Sequence, residues 1–259
     1  MAVKAVLNKI ANEIMDKYRG LPKDFAGHIA VGKGASGSDT SKIDKFAEDA
    51  VLEFLDREDV KINVLSEEIG FVDRGADKVL ILDPIDGTVN CVRGIPFFSI
   101  SMAVATKSMS DADHGLVKNL YTGDTYYARR GGGAELNGHR ITVSKYNRDD
   151  SVFLMFDGRD TAPESAKVRE LATRVRTMGC ASLEMCLVAQ GAVQAHYMNC
   201  LRHDRKIRIV DIAASTLILR EAGGEVCDLK GKRLDMELTL DDRRNFLAYG
   251  DPSIKELVL

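Results

Sequence analysis

Near the N-terminus, apolar residues return at helical spacing. Val3, Val6, Leu7, Ile10 and Ile14 share one face of MAVKAVLNKIANEIMDKY, with charges around the rest, and predict an amphipathic helix. The same period recurs at Ile43, Phe46, Ala47, Ala50, Val51 and Phe54, after a Gly/Ser-rich stretch, VGKGASGSDTSKID, at 31–44. The pattern then shortens. Residues 79–82 are four adjacent apolar residues with no solvent face, which predicts a buried strand; 62–65 reads as a further strand, and a largely apolar run follows near 98–105. Tyr121-Thr122-Gly123-Asp124 reads as a hairpin turn, and RRGGGAELNG at 129–138 as a glycine-dense loop between strands.

Further along, the period alternates. SVFLMF at 151–156 predicts a strand, 163–174 a helix, RTMG at 176–179 a short strand, 182–190 a helix and 194–198 a strand. A helix over 211–222 stops at Gly223-Gly224. Alternating elements predict an α/β half, whereas the consecutive strands before them suit α+β. A soft boundary near residue 145 divides the chain into 1–145 and 146–259.

Composition narrows the class. A chain of 259 residues can hold one large domain or two that share an interface. The formal charge of −3 gives no reason to expect a nucleic acid or an anionic membrane as partner. Five cysteines, an odd number without a CxxC pair, fit reduced thiols better than a disulfide framework. The N-terminal helix carries charge throughout and lacks the apolar core of a signal peptide, and no stretch nears the length of a membrane span. A cytoplasmic protein is expected.

The candidate chemistry sits where strands end. The run Val79-Leu80-Ile81-Leu82 delivers Asp83, Pro84, Ile85, Asp86, Gly87 and Thr88, and the strand at 62–65 runs into Ser66-Glu67-Glu68. Hard dications such as Mg²⁺ want several oxygen ligands in fixed directions, and carboxylates at strand ends supply them. Pro84 stiffens the turn, Gly87 allows close backbone approach, and Thr88 offers a hydroxyl for a water. Taken alone, Asp-Pro-x-Asp-Gly-Thr also reads as a good turn, Glu67-Glu68 as a solvated strand end, and Asp211 as a helix N-cap.

The combination resembles the inositol monophosphatase superfamily: SEE near 67, LDPIDGT at 82–88, GGGAELNG at 131–138, RTMGCASLEMCLVAQGAVQAHY at 176–197, and VDIAAS with EAGG at 210–224, in the expected order over nearly the whole chain. The resemblance implies a layered α-β-α-β-α sandwich and a metal-dependent phosphomonoesterase. By position, Glu67, Asp83, Asp86 and Asp211 would be metal carboxylates and the Ile85 carbonyl a further ligand. Glu68 would support them, and Asp44 would pair with Thr88 to orient and deprotonate the attacking water. Two or three Mg²⁺ ions, or Mn²⁺ in their place, would neutralise the phosphate ester and activate water for direct in-line attack. Gly87, Thr88, Gly179, Cys180 and Ala181 would contact substrate. The family also implies a homodimer.

Two departures bear on these roles. In the Gly/Ser segment, only Ser36, Ser38 and Asp39 could stand in for a further family aspartate near a third ion. After residue 197, Met198 and Asn199 replace a glutamate that binds inositol hydroxyls in the animal-type enzymes, and the basic run Arg202, His203, Arg205, Lys206 and Arg208 follows. That run reads either as a solvated loop or as a clamp for a second phosphate, with Arg202 and Arg208 the leading contacts. It resembles the archaeal members that act on fructose 1,6-bisphosphate as well as inositol 1-phosphate. Alternatives are a nucleotidase for 3′-phosphoadenosine 5′-phosphate, from the same superfamily, and a non-catalytic binding module.

Overall fold

The computed structural model describes residues 2–22, 27–35, 37 and 39–259. The first layer is a helix pair, α1 (Val3–Arg19) and α2 (Lys42–Arg57), separated by a small antiparallel ribbon of β1 (Ala30–Lys33) and β2 (Asp39–Ser41). The apolar faces of both helices bury Leu7, Ile10, Ile14, Ile43, Val51 and Phe54 against the next layer. Ser41 caps α2 by accepting the Asp44 N–H at 3.3 Å, which fixes Asp44 in the first turn.

That next layer is an eight-stranded sheet. It is built from β3 (Asn63–Ser66), β4 (Gly70–Val72), β5 (Val79–Asp86), β6 (Ser99–Ala105), β7 (His114–Asn119), β8 (Thr125–Arg129), β9 (Gly133–Leu136) and β10 (His139–Arg140), with the short helix α3 (Thr88–Arg93) following β5. Strand order is β10-β9-β8-β7-β6-β5-β3-β4, and β3·β5 is its parallel pair. Alternate side chains of β5 point to opposite layers: Leu80 and Leu82 join the α1/α2 side, and Val79 and Ile81 the other.

On that other side lie α5 (Ala181–Ala189) and α6 (Ile209–Glu221). α6 crosses β5 to β8, and a Cβ at Gly115 of β7 would meet the Ala214 carbonyl at 2.8 Å, so glycine permits the close approach. Every residue of α6 from Ile209 to Leu219 is buried, as expected of a helix between two sheets. The fourth layer is a five-stranded mixed sheet, β12-β11-β13-β15-β14, made of β11 (Val152–Met155), β12 (Arg174–Arg176), β13 (Ala195–Met198), β14 (Glu225–Cys227) and β15 (Phe246–Tyr249). α4 (Ser165–Arg169) and α7 (Pro252–Val258) cover its outer face through Val168 and Ile254. The α-β-α-β-α sandwich expected from the sequence is the architecture observed. No helix among the described residues is long and apolar enough to cross a membrane.

Local expectations need three corrections. The helix expected over 163–174 spans only Ser165–Arg169. Thr173 and Ser151 exchange backbone-to-hydroxyl bonds at 3.1 Å, pulling the chain into β12 beside β11 before the helix can extend. For the same reason the strand expected at 176–179 lies earlier, at Arg174–Arg176. The stretch 129–138 is not all loop: Gly133–Leu136 forms β9, paired antiparallel with β8 near the sheet edge, where glycine is tolerated.

Candidate metal centre

β5 aims two aspartates at one place by breaking its own alternation. Asp83 pairs with Ser101 and Asp86 with Ser99, so three steps on β5 oppose two on β6. This bulge, at the one position whose proline lacks an N–H, turns Ile85 into the α1/α2 core and returns Asp86 to the face of Asp83. Asp83 Oδ1 accepts the Ile85 N–H at 3.1 Å, which locks the turn. Gly87 follows with φ 86°, and a Cβ there would lie 3.1–3.3 Å from Cys180, Phe97 and Gly179, so this position needs glycine.

Glu67, in the β3–β4 turn, and Asp211, in the first turn of α6, complete the cluster. Carboxylate oxygens of Glu67, Asp83 and Asp211 lie within 4.8 Å of one another. Asp86 sits beside them, its Oδ2 accepting the Ser182 N–H at 2.7 Å, the Ser182 hydroxyl at 2.5 Å and the Cys180 thiol at 3.2 Å. Ser182 was missed as a site residue in the sequence, which marked it only as the start of a helix.

Burial without enough countercharge shows in the titration of these groups. Desolvation pushes Asp83 well above the carboxylate range, reinforced by repulsion from Glu67, Asp86 and Asp211. Desolvation raises Glu67 to about 7, Arg208 opposing and Asp211 adding to it, and raises Asp86 to about 6 despite its bonds from Ser182. The cluster is short of positive charge.

Beside it, Thr88 Oγ1 lies 2.9 Å from Asp44 Oδ1 and 3.1 Å from the Ile85 carbonyl. Asp44 Oδ2 accepts the Ser41 hydroxyl at 2.7 Å. Burial raises the Asp44 carboxyl, and the Ser41 and Thr88 hydroxyls partly offset it. Glu68 points the other way: it accepts a hydrogen bond from the Thr40 hydroxyl and does not line the cleft. Ser36 and Ser38, and the side chain of Asp39, lie outside the described residues.

These groups surround a cleft of about 280 Å³, lined by Glu67, Asp83, Asp86, Gly87, Thr88 and Asp211 and also by Gly179, Ala181, Met198 and Arg208 among others. Its wall also holds Glu184 and His196, which the sequence reading did not single out. They lie 3.6 Å apart and are not an ion pair at neutral pH, because burial raises Glu184 to about 8 and lowers His196 to about 3. Glu184 Oε1 accepts the Met178 N–H at 3.0 Å, tying α5 to the loop that carries Gly179.

The expected basic clamp is only partly at the cleft. Arg208 lines it, but turned toward carboxylates: it pairs with Glu67 and, at 3.1 Å, with Asp211. Arg202 is on the surface, ion-paired with Asp204, and Arg205 pairs with Asp160 at 3.0 Å, because the His203–Arg205 turn supplies and faces local acids. Cys180 is likewise no cleft side chain, being fully buried with its thiol toward Asp86 and Ser99. Arg202→Ala is therefore expected to leave the ratio of specificity constants for fructose 1,6-bisphosphate and inositol 1-phosphate unchanged. A shift of tenfold or so, the size of a lost charged hydrogen bond, would return Arg202 to the substrate.

Comparison with known proteins accords with this geometry. The inositol monophosphatase family profile matches residues 1–258. A Methanocaldococcus jannaschii protein named fructose-1,6-bisphosphatase/inositol-1-monophosphatase is 32% identical over 256 residues, covering 99% of this chain and 96% of that one. A protein of the same name from Archaeoglobus fulgidus is 36% identical over 233 residues, 88% of this chain and 87% of its own. A solved inositol monophosphatase–fructose 1,6-bisphosphatase superposes with a TM-score of 0.87 at 32% identity, covering 100% of this chain and 99% of that one. The chain belongs to the inositol monophosphatase family and is, with it, a phosphatase hydrolase.

Proposed function

We propose that this enzyme is a Mg²⁺-dependent phosphomonoesterase that hydrolyses inositol 1-phosphate and fructose 1,6-bisphosphate. The observation that carries the reading is the convergence of Glu67, Asp83 and Asp211 within 4.8 Å, with Asp86 alongside, in the lining of a cleft sized for a sugar phosphate. The printed names of the archaeal relatives supply the substrate pair.

The donor set fits a hard dication. Glu67, Asp83, Asp86 and Asp211 with the Ile85 carbonyl offer only oxygen, and the raised carboxyls mark a deficit of positive charge. Two or three Mg²⁺ ions, replaceable by Mn²⁺, would supply neutralisation of the phosphate dianion, a lowered pKa for an attacking water and stabilisation of the leaving alkoxide. The chain does the rest. Thr88 Oγ1, which donates to Asp44 Oδ1 at 2.9 Å, accepts a hydrogen bond from the water and passes its own proton to Asp44 as it takes the water's. The Gly87 turn, Gly179 and Ala181 hold the phosphate and sugar, and Ser182 fixes the Asp86 carboxylate. Attack is direct, without a phospho-enzyme.

A kinetic panel of inositol 1-phosphate, fructose 1,6-bisphosphate, glucose 1-phosphate and 3′-phosphoadenosine 5′-phosphate tests the substrate claim. The first two are expected to give the highest kcat/KM; preference for the nucleotide would overturn it. Because the ligands must lose protons to hold an ion, Mg²⁺ is expected to raise the melting temperature more at about pH 8 than at about pH 5. In the metal-free fold Glu67 and Asp86 keep protons to about pH 7 and 6, which compete with the ion below those values. Equal shifts at both pH values would contradict the assignment. The free cysteines support a cytoplasmic enzyme, and family likeness supports a homodimer. Sedimentation at micromolar concentration is expected to give twice the chain mass; a 28.4 kDa species alone would contradict it.

A further inference from the structure

Arg208 is the residue whose placement the reaction as derived above does not use. It precedes α6 and lines the cleft, yet its side chain is only 12% exposed. One guanidinium engages two carboxylates from distant parts of the chain. Nη1 donates to Glu67 Oε1, Nη2 to Asp211 Oδ1 at 3.1 Å and Nε to Asp211 Oδ2 at 3.3 Å. Asp211 Oδ2 also accepts the Arg208 backbone N–H at 2.8 Å, so both Asp211 oxygens are occupied by one residue. Such multiple N–H···O bonds to carboxylates are strong and directional, and arginine stays charged at any working pH.

These are two of the carboxylates assigned to the ion, and no hydrogen bond joins Arg208 to the third, Asp83. A single positive charge thus bridges Glu67 and Asp211 but cannot balance both, and it reaches Asp83 only through space, without a hydrogen bond. A dication held by all three would compete with the guanidinium for the Asp211 carboxylate, both of whose oxygens accept from Arg208, and for the Glu67 carboxylate. It would also set two cations side by side in a poorly solvated site, where their repulsion is weakly screened.

We propose that Arg208 is the resident counter-cation of the metal-free centre: its guanidinium holds Glu67 and Asp211 together until a divalent cation displaces it, and the displaced side chain then faces the cleft as a contact for the substrate's anionic group. The proposal rests on the reading of Glu67 and Asp211 as metal ligands. It assigns Arg208 two opposite effects, support of the empty site and competition with the ion. A purely orienting arginine would have neither the competition nor its sign. The move also supplies an anion contact that the surface-paired Arg202 and Arg205 do not.

The test is calorimetric titration of Mn²⁺ into wild-type, Arg208→Ala, Arg208→Lys and Glu67→Gln proteins, with melting curves recorded in chelator. A competing internal partner lowers apparent affinity by the fraction of sites it leaves open, so Arg208→Ala is expected to bind Mn²⁺ about tenfold tighter. It should also melt lower than wild type in chelator and gain more from Mn²⁺. Arg208→Lys, which keeps the charge without the two-carboxylate fork, should fall between and provides the reading if the alanine variant does not fold. Weaker or unchanged Mn²⁺ binding in both Arg208 variants, with binding lost in Glu67→Gln, would overturn the proposal and leave the metal site standing. Wild-type Mn²⁺ affinity in Glu67→Gln would overturn the metal assignment, and the proposal with it.

Discussion

Asp83→Asn is expected to cut phosphate release by about a thousandfold or more while the protein stays folded; Asp86→Asn should do nearly as much. The scale is that of a pre-organised electrostatic group aimed at charge developing in the transition state. Each asparagine keeps size and an acceptor oxygen. At position 83 that oxygen can still accept the Ile85 N–H, and at 86 the Ser182 N–H and hydroxyl, so the turn and the α5 contact survive. What disappears is one negative charge among four carboxylates. In the metal-free protein that loss removes repulsion from a cluster whose Asp83 is pushed far up, so the chelator-treated variant should melt no lower than wild type. Stability and activity thus move independently, which separates a lost ligand from a lost fold. Wild-type-like kcat in either variant at saturating Mg²⁺ would remove that aspartate from the centre.

Thr88→Ala and Asp44→Asn form the second large effect. A positioned base contributes typically about 10²–10⁴-fold, and each single variant should lose within that range with little change in Mg²⁺ affinity. The double variant should lose about as much as the worse single one. In the proposed mechanism Thr88 Oγ1 and Asp44 Oδ1, joined by one hydrogen bond, serve one water, and residues acting as a unit are strongly non-additive. Losses that multiply in full would show two independent roles. Asp44 is anchored to Ser41 at the start of α2, so the asparagine should not loosen that helix end greatly.

The parts of this arrangement that were legible in the sequence are those carried by local pattern. Apolar periodicity placed α1, α2 and α6 close to their observed bounds and found the start of β5, which runs on through the turn residues to Asp86. The strand-end carboxylates could be read because the Asp-Pro-x-Asp-Gly-Thr turn, by itself only a good turn, comes in order with SEE and VDIAAS, and position in the resembling family linked them to Asp211 and Asp44. What stayed hidden depends on pairing across the chain. β9 hid behind glycines that a strand near the sheet edge accepts, and β12 was misplaced because Ser151 and Thr173 hook together over a distance no window shows. Arg202 and Arg208 look alike as members of one basic run. Only the fold decides that the Arg202 cation meets Asp204 at the surface, whereas Arg208 reaches back to Glu67. Glu184 and His196 were unreadable for a similar reason: on their own helix and strand they look like ordinary polar residues, and burial against each other is what sets them apart.

The measurement closest to the central claim is phosphate release from inositol 1-phosphate and fructose 1,6-bisphosphate by the purified chain, first stripped with chelator and then titrated with Mg²⁺. The stripped protein is expected to be inactive, activity to return with Mg²⁺, and Asp83→Asn to fail to recover at any Mg²⁺ concentration. Release that persists in chelator, or an Asp83→Asn variant that recovers fully, would contradict a metal-dependent phosphatase built on Glu67, Asp83, Asp86 and Asp211.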